Sequence, residues 1–273
     1  MKTTTSKADK TIHDFGEQWK HYSGNEGYYG SKELLADIVE PFLQPEDFAG
    51  KRVAEIGAGT GRIVGMMLEC AAEYALAIEP SEGIHAARRN LANYGERVAF
   101  LHARGEDIPP EAGLDIILSV GVLQFVPEPK PIVDASFKAL KPGGVMFAWL
   151  SAKEGNELYL RVASTLRSFT RWLPHWALAI FVRLLDVPLV IYIHVCRTVG
   201  GSWPLRDYLV NVLAKFSGEK RRLVIYDQLN PTLTIYHTRQ EALAILEDSG
   251  FVDVRVHHRH GYSWSVVGRK PQR

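Results

Sequence analysis

Apolar positions fall into two alternating kinds of run along this chain. Short buried-type stretches, expected as strands, are Arg52–Glu55, Tyr74–Ile78, Val98–Leu101, Asp115–Ser119 and Val145–Leu150. Between them lie segments with helical spacing, from Arg62 to Cys70, from Ser81 to about Asn93 with Ser81 as N-cap, and from about Pro131 to Leu140. Strands alternating with helices predict an α/β domain built on a parallel sheet with right-handed crossovers. Ahead of this core, Leu34, Leu35, Ile38, Val39 and Phe42 give Ser31–Phe42 a helical face for packing on the sheet. At the far end, Thr238-Arg239-Gln240-Glu241 is a capping box, and the helix it opens is stopped by Gly250. Phe251–Val256 and Gly261–Gly268 then read as two further strands.

The stretch Ser151–His237 breaks this rhythm. Leu158, Val162, Leu166 and Phe169 recur on one helical face, with Arg161, Arg167 and Arg171 elsewhere. Trp172–Val199 is very apolar but contains Pro174, Arg183, Asp186 and Pro188. Central charges and a proline that interrupts the helix argue against a membrane span, which needs about 20 mostly apolar residues. Two readings stand. In the first, a helical cap packs its apolar faces together over an active site. In the second, the segment lies on a membrane with its tryptophans and arginines at headgroup level. An apolar or lipid-linked ligand fits either.

Composition narrows the classes. With 273 residues, 46% hydrophobic and 23% charged, the chain can bury a large core and carry one insertion. A net charge of +1 gives no reason to expect nucleic-acid binding. Cys70 and Cys196 show no metal-ligand spacing and suit a reducing, cytoplasmic setting. Met1–Lys10 is polar, without an apolar signal core, and is expected to be unstructured. The run His257-His258-Arg259-His260 is expected on a solvated strand edge rather than at a metal; no metal site is expected.

The chemistry concentrates in Glu55-Ile56-Gly57-Ala58-Gly59-Thr60-Gly61, a glycine turn between the first strand and its helix. Glycines let the backbone approach a ligand, and amides at a helix N-terminus suit anionic groups. Glu79 closes the second strand, where doubly wound sheets bind ribose hydroxyls. The spacing departs from the dinucleotide fingerprint. It resembles motif I of class I S-adenosylmethionine-dependent methyltransferases. Glu79-Pro80-Ser81, Gly105-Glu106-Asp107-Ile108-Pro109, Asp115-Ile116-Ile117-Leu118-Ser119 and Leu140-Lys141-Pro142-Gly143-Gly144 continue the resemblance in order, over roughly residues 50–150.

The resemblance implies a Rossmann-like seven-stranded sheet with its last strand antiparallel, to which this chain's own residues add a helical insertion before the final helix. It implies residues 31–150 and 238–273 as core, 151–237 as helical cap and 1–30, rich in aromatics between Phe15 and Gly30, as a lid. It implies S-adenosylmethionine as cofactor. The amides of Gly57, Ala58, Gly59 and Gly61 would meet its carboxylate, Glu55 its ammonium, Glu79 and Pro80 its ribose side, and Gly105 and Glu106 its adenine, with Ser119 to Leu123 lining the pocket beneath the sulfonium. Arg104 stands where the family often has an acid before that glycine. The implied activity is methyl transfer by in-line displacement to a small or lipid-linked acceptor, with oxygen favoured. Gln124 replaces the family's frequent base after the fourth strand and could orient the acceptor. His237 and Asp227 are the candidate bases, in a segment with Asn230-Pro231 and His237-Thr238 that resembles some bacterial members. Two rivals remain, an NAD-dependent dehydrogenase and a non-catalytic S-adenosylmethionine-binding or membrane-associated scaffold. Acceptor identity and oligomeric state are left open.

Overall fold

The computed structural model describes residues 7–170, 172–199, 201–229 and 233–272. Among the described residues, seven strands form a single sheet: β1 Arg52–Ile56, β2 Tyr74–Ile78, β3 Val98–Leu101, β4 Leu114–Val120, β5 Leu140–Ser151, β6 Val252–Arg259 and β7 Ser263–Arg269. Their order is β3-β2-β1-β4-β5-β7-β6, with β1 to β5 parallel and β7 antiparallel to both neighbours. The chain first builds outward from β1 through β2 to β3, then returns to β4 on the other side. The reversal beside β1 opens a crevice at the strands' carboxyl ends, the usual ligand site of such sheets.

The strands are buried on both faces, so they read as nearly continuous apolar runs. Strand periodicity sends Val53, Leu118 and Phe147 to one face and Ala54, Ile117 and Met146 to the other. The first face is covered by α2 Lys32–Val39 and α3 Arg62–Glu69. The second carries α5 Lys130–Ala139 and α10 Arg239–Glu247. Thr238 caps α10 by the expected reciprocal bonds with Glu241, 3.2 Å from the Glu241 amide to Thr238 Oγ1 and 2.7 Å from the Thr238 amide to Glu241 Oε2. α4 Gly83–Asn90 begins where Ser81 Oγ accepts from the Gly83 amide at 3.1 Å.

The N-terminus differs from the expectation. A helix, α1 Lys7–His21, starts inside the stretch expected to be unstructured; residues 1–6 lie outside the described residues. Its apolar side, with Phe15 and Trp19, is held against the crevice, a tertiary contact that local polarity does not reveal. α2 ends at Val39, before the Glu40-Pro41 pair that closes it, not at Phe42.

The insertion is helical: α6 Glu157–Thr170, α7 His175–Thr198, α8 Arg206–Asn211 and α9 Gly218–Leu229. Arg171 and Asn230-Pro231 lie outside the described residues. Pro188 does not interrupt α7, which runs through it. Packing holds both halves: Leu178 and Val182 before the proline meet Tyr226 and Leu229 of α9, and Ile193 and Cys196 after it join the main core. The expectation that the insertion's apolar faces pack together fails for its outer side, where Phe169, Trp172, Trp176, Ile180, Leu184 and Ile191 stay exposed.

Candidate active site

A cavity of about 340 Å³ opens at the carboxyl ends of β1, β2, β4 and β5. Glu55, Gly57, Ala58, Gly59, Glu79, Pro80, Gly105 and Glu106 line it as the sequence predicts, and so do Gln124 and Asp227. Gly57 has φ +74°, and a Cβ there would meet Val122 at 2.3 Å. Gly59 has φ +52°, and its missing Cβ faces the Trp19 ring at 3.1 Å. Gly61 does not reach the cavity wall; it starts α3 and packs toward Leu91.

The turn does not offer the amides expected of it. Gly57 and Ala58 donate to the Ile78 carbonyl at 2.8 and 2.9 Å, Gly59 to Glu79, and Gly61 to the Ala58 carbonyl at 2.7 Å. What the turn supplies is close backbone approach. The nearby cation is Arg62, the first residue of α3, which lines the cavity, stacks over Tyr29 at 4.4 Å and donates to its carbonyl at 3.2 Å. Sequence reasoning passed over it as an ordinary helix start.

Two carboxylates anchor this part of the wall. Glu55 is buried, with Oε2 accepting from the Val64 amide at 3.2 Å near the start of α3. Burial pushes its pKa well above the usual range, with Arg62 opposing. Glu79 accepts from the Gly59 amide at 2.8 Å and the Ser81 amide at 2.9 Å. Burial raises its pKa too, against those donors. Of the expected lining Ser119–Leu123, Val120, Gly121 and Val122 do form the cavity wall, whereas Ser119 and Leu123 are fully buried and absent from it. Ser119 shares the strand face of Ile117, turned into the second core layer.

α1 closes over this wall. Phe15 meets Phe125 edge-on at 5.0 Å. Arg104 donates to Asp9 of α1 and lies 3.8 Å from Glu106, so it points to the lid helix rather than stacking in the site. Gln18 donates its Nε2 to Asp227 of α9. Asp227 is half-buried on the cavity wall, and burial pushes its pKa up to about 7, opposed by the Gln18 bond and Arg62.

The other candidate base is not in the cavity wall. His237 is buried beside β5, where its amide donates to the Ser151 carbonyl at 3.0 Å and its carbonyl accepts from Lys153 and from Trp264 Nε1. Burial lowers its pKa, and its Nδ1 has no partner. Its backbone joins the end of the insertion to the sheet, which is a structural duty.

The remaining wall was largely missed from sequence. Trp149 of β5, Tyr208 of α8, Phe216 and the β6–β7 pair Arg259 and Tyr262 enclose it. The rings of Tyr208 and Tyr262 lie 4.2 Å apart, and Trp149 is 6.0 Å from Tyr262. Arg259 is buried, not on a solvated edge; it pairs with Asp37 and donates to Tyr262 Oη at 2.6 Å. His260 also meets Asp37, at 2.7 Å, and His258 stacks on Trp264 at 4.2 Å. Among the described residues that line the cavity, two buried polar atoms have no protein partner, Trp149 Nε1 and Gln124 Oε1. The one sequence signal for this wall was an arginine in a strand otherwise alternating apolar and polar.

Comparison with known proteins follows the same division. A family described as "Methyltransferase domain" matches residues 54–146. Ubiquinone biosynthesis O-methyltransferase of Aromatoleum aromaticum is 33% identical over 126 residues, covering 42% of this chain and 53% of that protein. The chain spans about half the length of the curated relatives it matches. An O-methyltransferase family protein from Burkholderia thailandensis superposes with a TM-score of 0.53 at 13% identity, over 98% of this chain and 64% of that one. Human N-acetylserotonin methyltransferase in complex with SAM gives 0.50 at 12% identity, over 97% and 57%. The two structural likenesses establish the shared fold.

Proposed function

The chain carries a methyltransferase domain of the class I S-adenosylmethionine-dependent family, and from that premise we propose that it transfers a methyl group to an oxygen of a small, largely apolar acceptor. The observation that carries this reading is one cavity with two kinds of wall. The wall at the tips of β1 and β2 has glycines and carboxylates; the facing wall is aromatic, with isolated polar atoms.

The residues present fit S-adenosylmethionine. A Cβ at Gly57 would collide with Val122 and one at Gly59 would press on the Trp19 ring, so only glycine lets the turn's backbone line the cavity here. Each Glu79 oxygen receives one backbone amide, which leaves lone pairs for two ribose hydroxyls. Arg62 would face the methionine carboxylate and Glu55 the ammonium, while Pro80, Gly105 and Glu106 would border the adenine. When bound, S-adenosylmethionine supplies an activated methyl group for in-line displacement.

The chain's own residues then have three tasks. Gln124 and Trp149 border the acceptor space, and their buried, unpartnered Oε1 and Nε1 would turn toward the polar end of the acceptor when it binds. Asp227, with a pKa near 7, takes the proton from the acceptor hydroxyl. α1, pinned at Asp9 and Gln18, keeps water out and holds the reactants in line. Residues up to 30 act as the lid, 31–150 with 238–273 as the core, and 151–237 as the acceptor-side cap. The relatives' names, in ubiquinone biosynthesis, favour a hydroxylated ring carrying an apolar group as acceptor.

Calorimetry with S-adenosylmethionine and with NAD, followed by transfer of labelled methyl to hydroxylated aromatic compounds with and without an alkyl tail, tests this. Binding of the first nucleoside alone and label on oxygen are expected. Binding of NAD alone, or bound S-adenosylmethionine with no methyl transferred to any of these acceptors, would overturn it.

A further inference from the structure

Among the described residues, nearly all the large hydrophobic side chains left exposed lie between positions 162 and 203. They form a ridge rather than a scatter. On α7, Trp176, Ile180, Leu184, Val187 and Ile191 follow one another at spacings of three and four, so they share one helix face. Trp176 is 70% exposed and Leu184 65%. Val162 and Phe169 of α6 and Trp172 and Leu173 of the α6–α7 corner are exposed as well. Isolated exposed apolar residues need no explanation, but a contiguous ridge marks an interaction surface.

The opposite face of α7 is committed to the protein. Leu178 and Val182 pack on Tyr226 and Leu229 of α9. Asp186 pairs with Arg221, at 2.5 and 3.0 Å, and lies 3.6 Å from Arg222. α7 is apolar enough to cross a membrane by length and composition, with mean hydropathy 2.0 over its best window. Crossing would strip this buried ion pair of its partners, which is costly. The helix therefore presents only its outer side, over a length of about 36 Å.

Charge selects the occupant. Residues 151–237 hold 11 Lys and Arg against 6 Asp and Glu, whereas the whole chain holds 32 against 31. Arg183 and Arg197 are exposed on α7 itself. Long arginine stems can lie along apolar surface while their heads reach the headgroups. Tryptophans, aliphatic residues and arginines on one outward side match an interfacial helix lying on an anionic bilayer.

We infer that α7 and the α6–α7 corner dock this protein, lying flat, on a membrane surface containing anionic lipid. The inference stands apart from the methyl-transfer reading, because no ridge residue lines the cavity. It does place the docking face one layer from it: α9, which α7 grips, contributes Val224 and Asp227 to the cavity wall.

Cosedimentation of the full chain with phosphatidylcholine vesicles, with and without phosphatidylglycerol, tests the inference. Binding is expected to the mixed vesicles, weaker to the neutral ones, and to fall with added salt. Replacing both Trp176→Glu and Leu184→Glu is expected to lower partition about tenfold or more, with the circular-dichroism melting curve unchanged because both side chains are exposed. Arg183→Glu with Arg197→Glu is expected to weaken binding to mixed vesicles only. Absence of binding to either vesicle, or equal binding by the Trp176→Glu/Leu184→Glu variant, overturns the inference. So does sedimentation velocity showing a dimer that this double substitution dissociates without any vesicle binding, since the ridge would then serve a second copy.

Discussion

In the wall formed at the tips of β1 and β2, partners are near in sequence: Glu79 reaches the Gly59 amide across 20 positions and Glu55 reaches Val64 across 9. In the facing wall, Gln18 meets Asp227 across 209 positions and Arg259 meets Asp37 across 222. The first wall is backbone held by a strand, a turn and a helix. The second is side chains from α1, α8, α9 and the β6–β7 pair, brought together only by the finished fold. A ligand common to a whole family can be held by the first kind of surface, while the second can change its rings and charges without disturbing the sheet.

Four substitutions test how far that division holds. Gly57→Val should have the largest effect, because a side chain at φ +74° would be strained by about 1–3 kcal/mol and would collide with Val122. Calorimetry should detect no S-adenosylmethionine binding; retained binding would show that the turn does not carry the nucleoside. Asp227→Asn should cut the methyl-transfer rate by about 100-fold or more while leaving S-adenosylmethionine affinity near wild type. In the wild type Asp227 is protonated below about pH 7 and cannot accept a proton, so the rate should climb as pH rises through that value. Stability moves the other way. The folded state holds this proton more tightly than the unfolded chain, so the stabilisation present at low pH is lost between the ordinary aspartate range and about pH 7. The asparagine variant should flatten both profiles, and an unchanged rate profile would assign the base elsewhere.

Glu79→Ala should weaken S-adenosylmethionine by about 1–3 kcal/mol through lost charged hydrogen bonds, with little change in KM for the acceptor. Equal losses for both ligands would mean that the two walls are not separate. His237→Gln should have the smallest effect on turnover, less than about twofold, because the side chain does not line the cavity; a larger fall in kcat at unchanged melting temperature would return it to the chemistry. Any cost should appear instead as a modest drop in thermal stability, since the histidine is buried.

The same division explains what the sequence made legible. The strand–helix alternation, the capping box at Thr238 and the acids at 55 and 79 follow from local period and spacing, and all are found. The spending of the turn's amides on Ile78 and Glu79 was not legible, because a glycine pattern says where backbone can go and not what it already bonds. Arg62 was overlooked because an arginine at a helix start is usually solvated. His237 looked catalytic because titratable residues near a helix cap attract attention, yet only tertiary structure shows it buried beside β5. Arg259 was read as solvated because Asp37, its partner, lies on a helix at the other end of the chain. The α7 ridge was half legible. Its apolar content was plain, but which side the body would cover depended on Asp186 finding Arg221.

The indole of Trp19 rests between two glycines, 3.1 Å from where a Cβ of Gly59 would stand and 2.7 Å from that of Gly83. On the proposed reading, an incoming nucleoside would share this space or displace the ring. Ligand arrival should therefore alter the emission of this one tryptophan, which gives the protein a built-in optical signal. Rapid mixing could then time the opening of the N-terminal helix without any attached dye, with Trp19→Phe as the silent control.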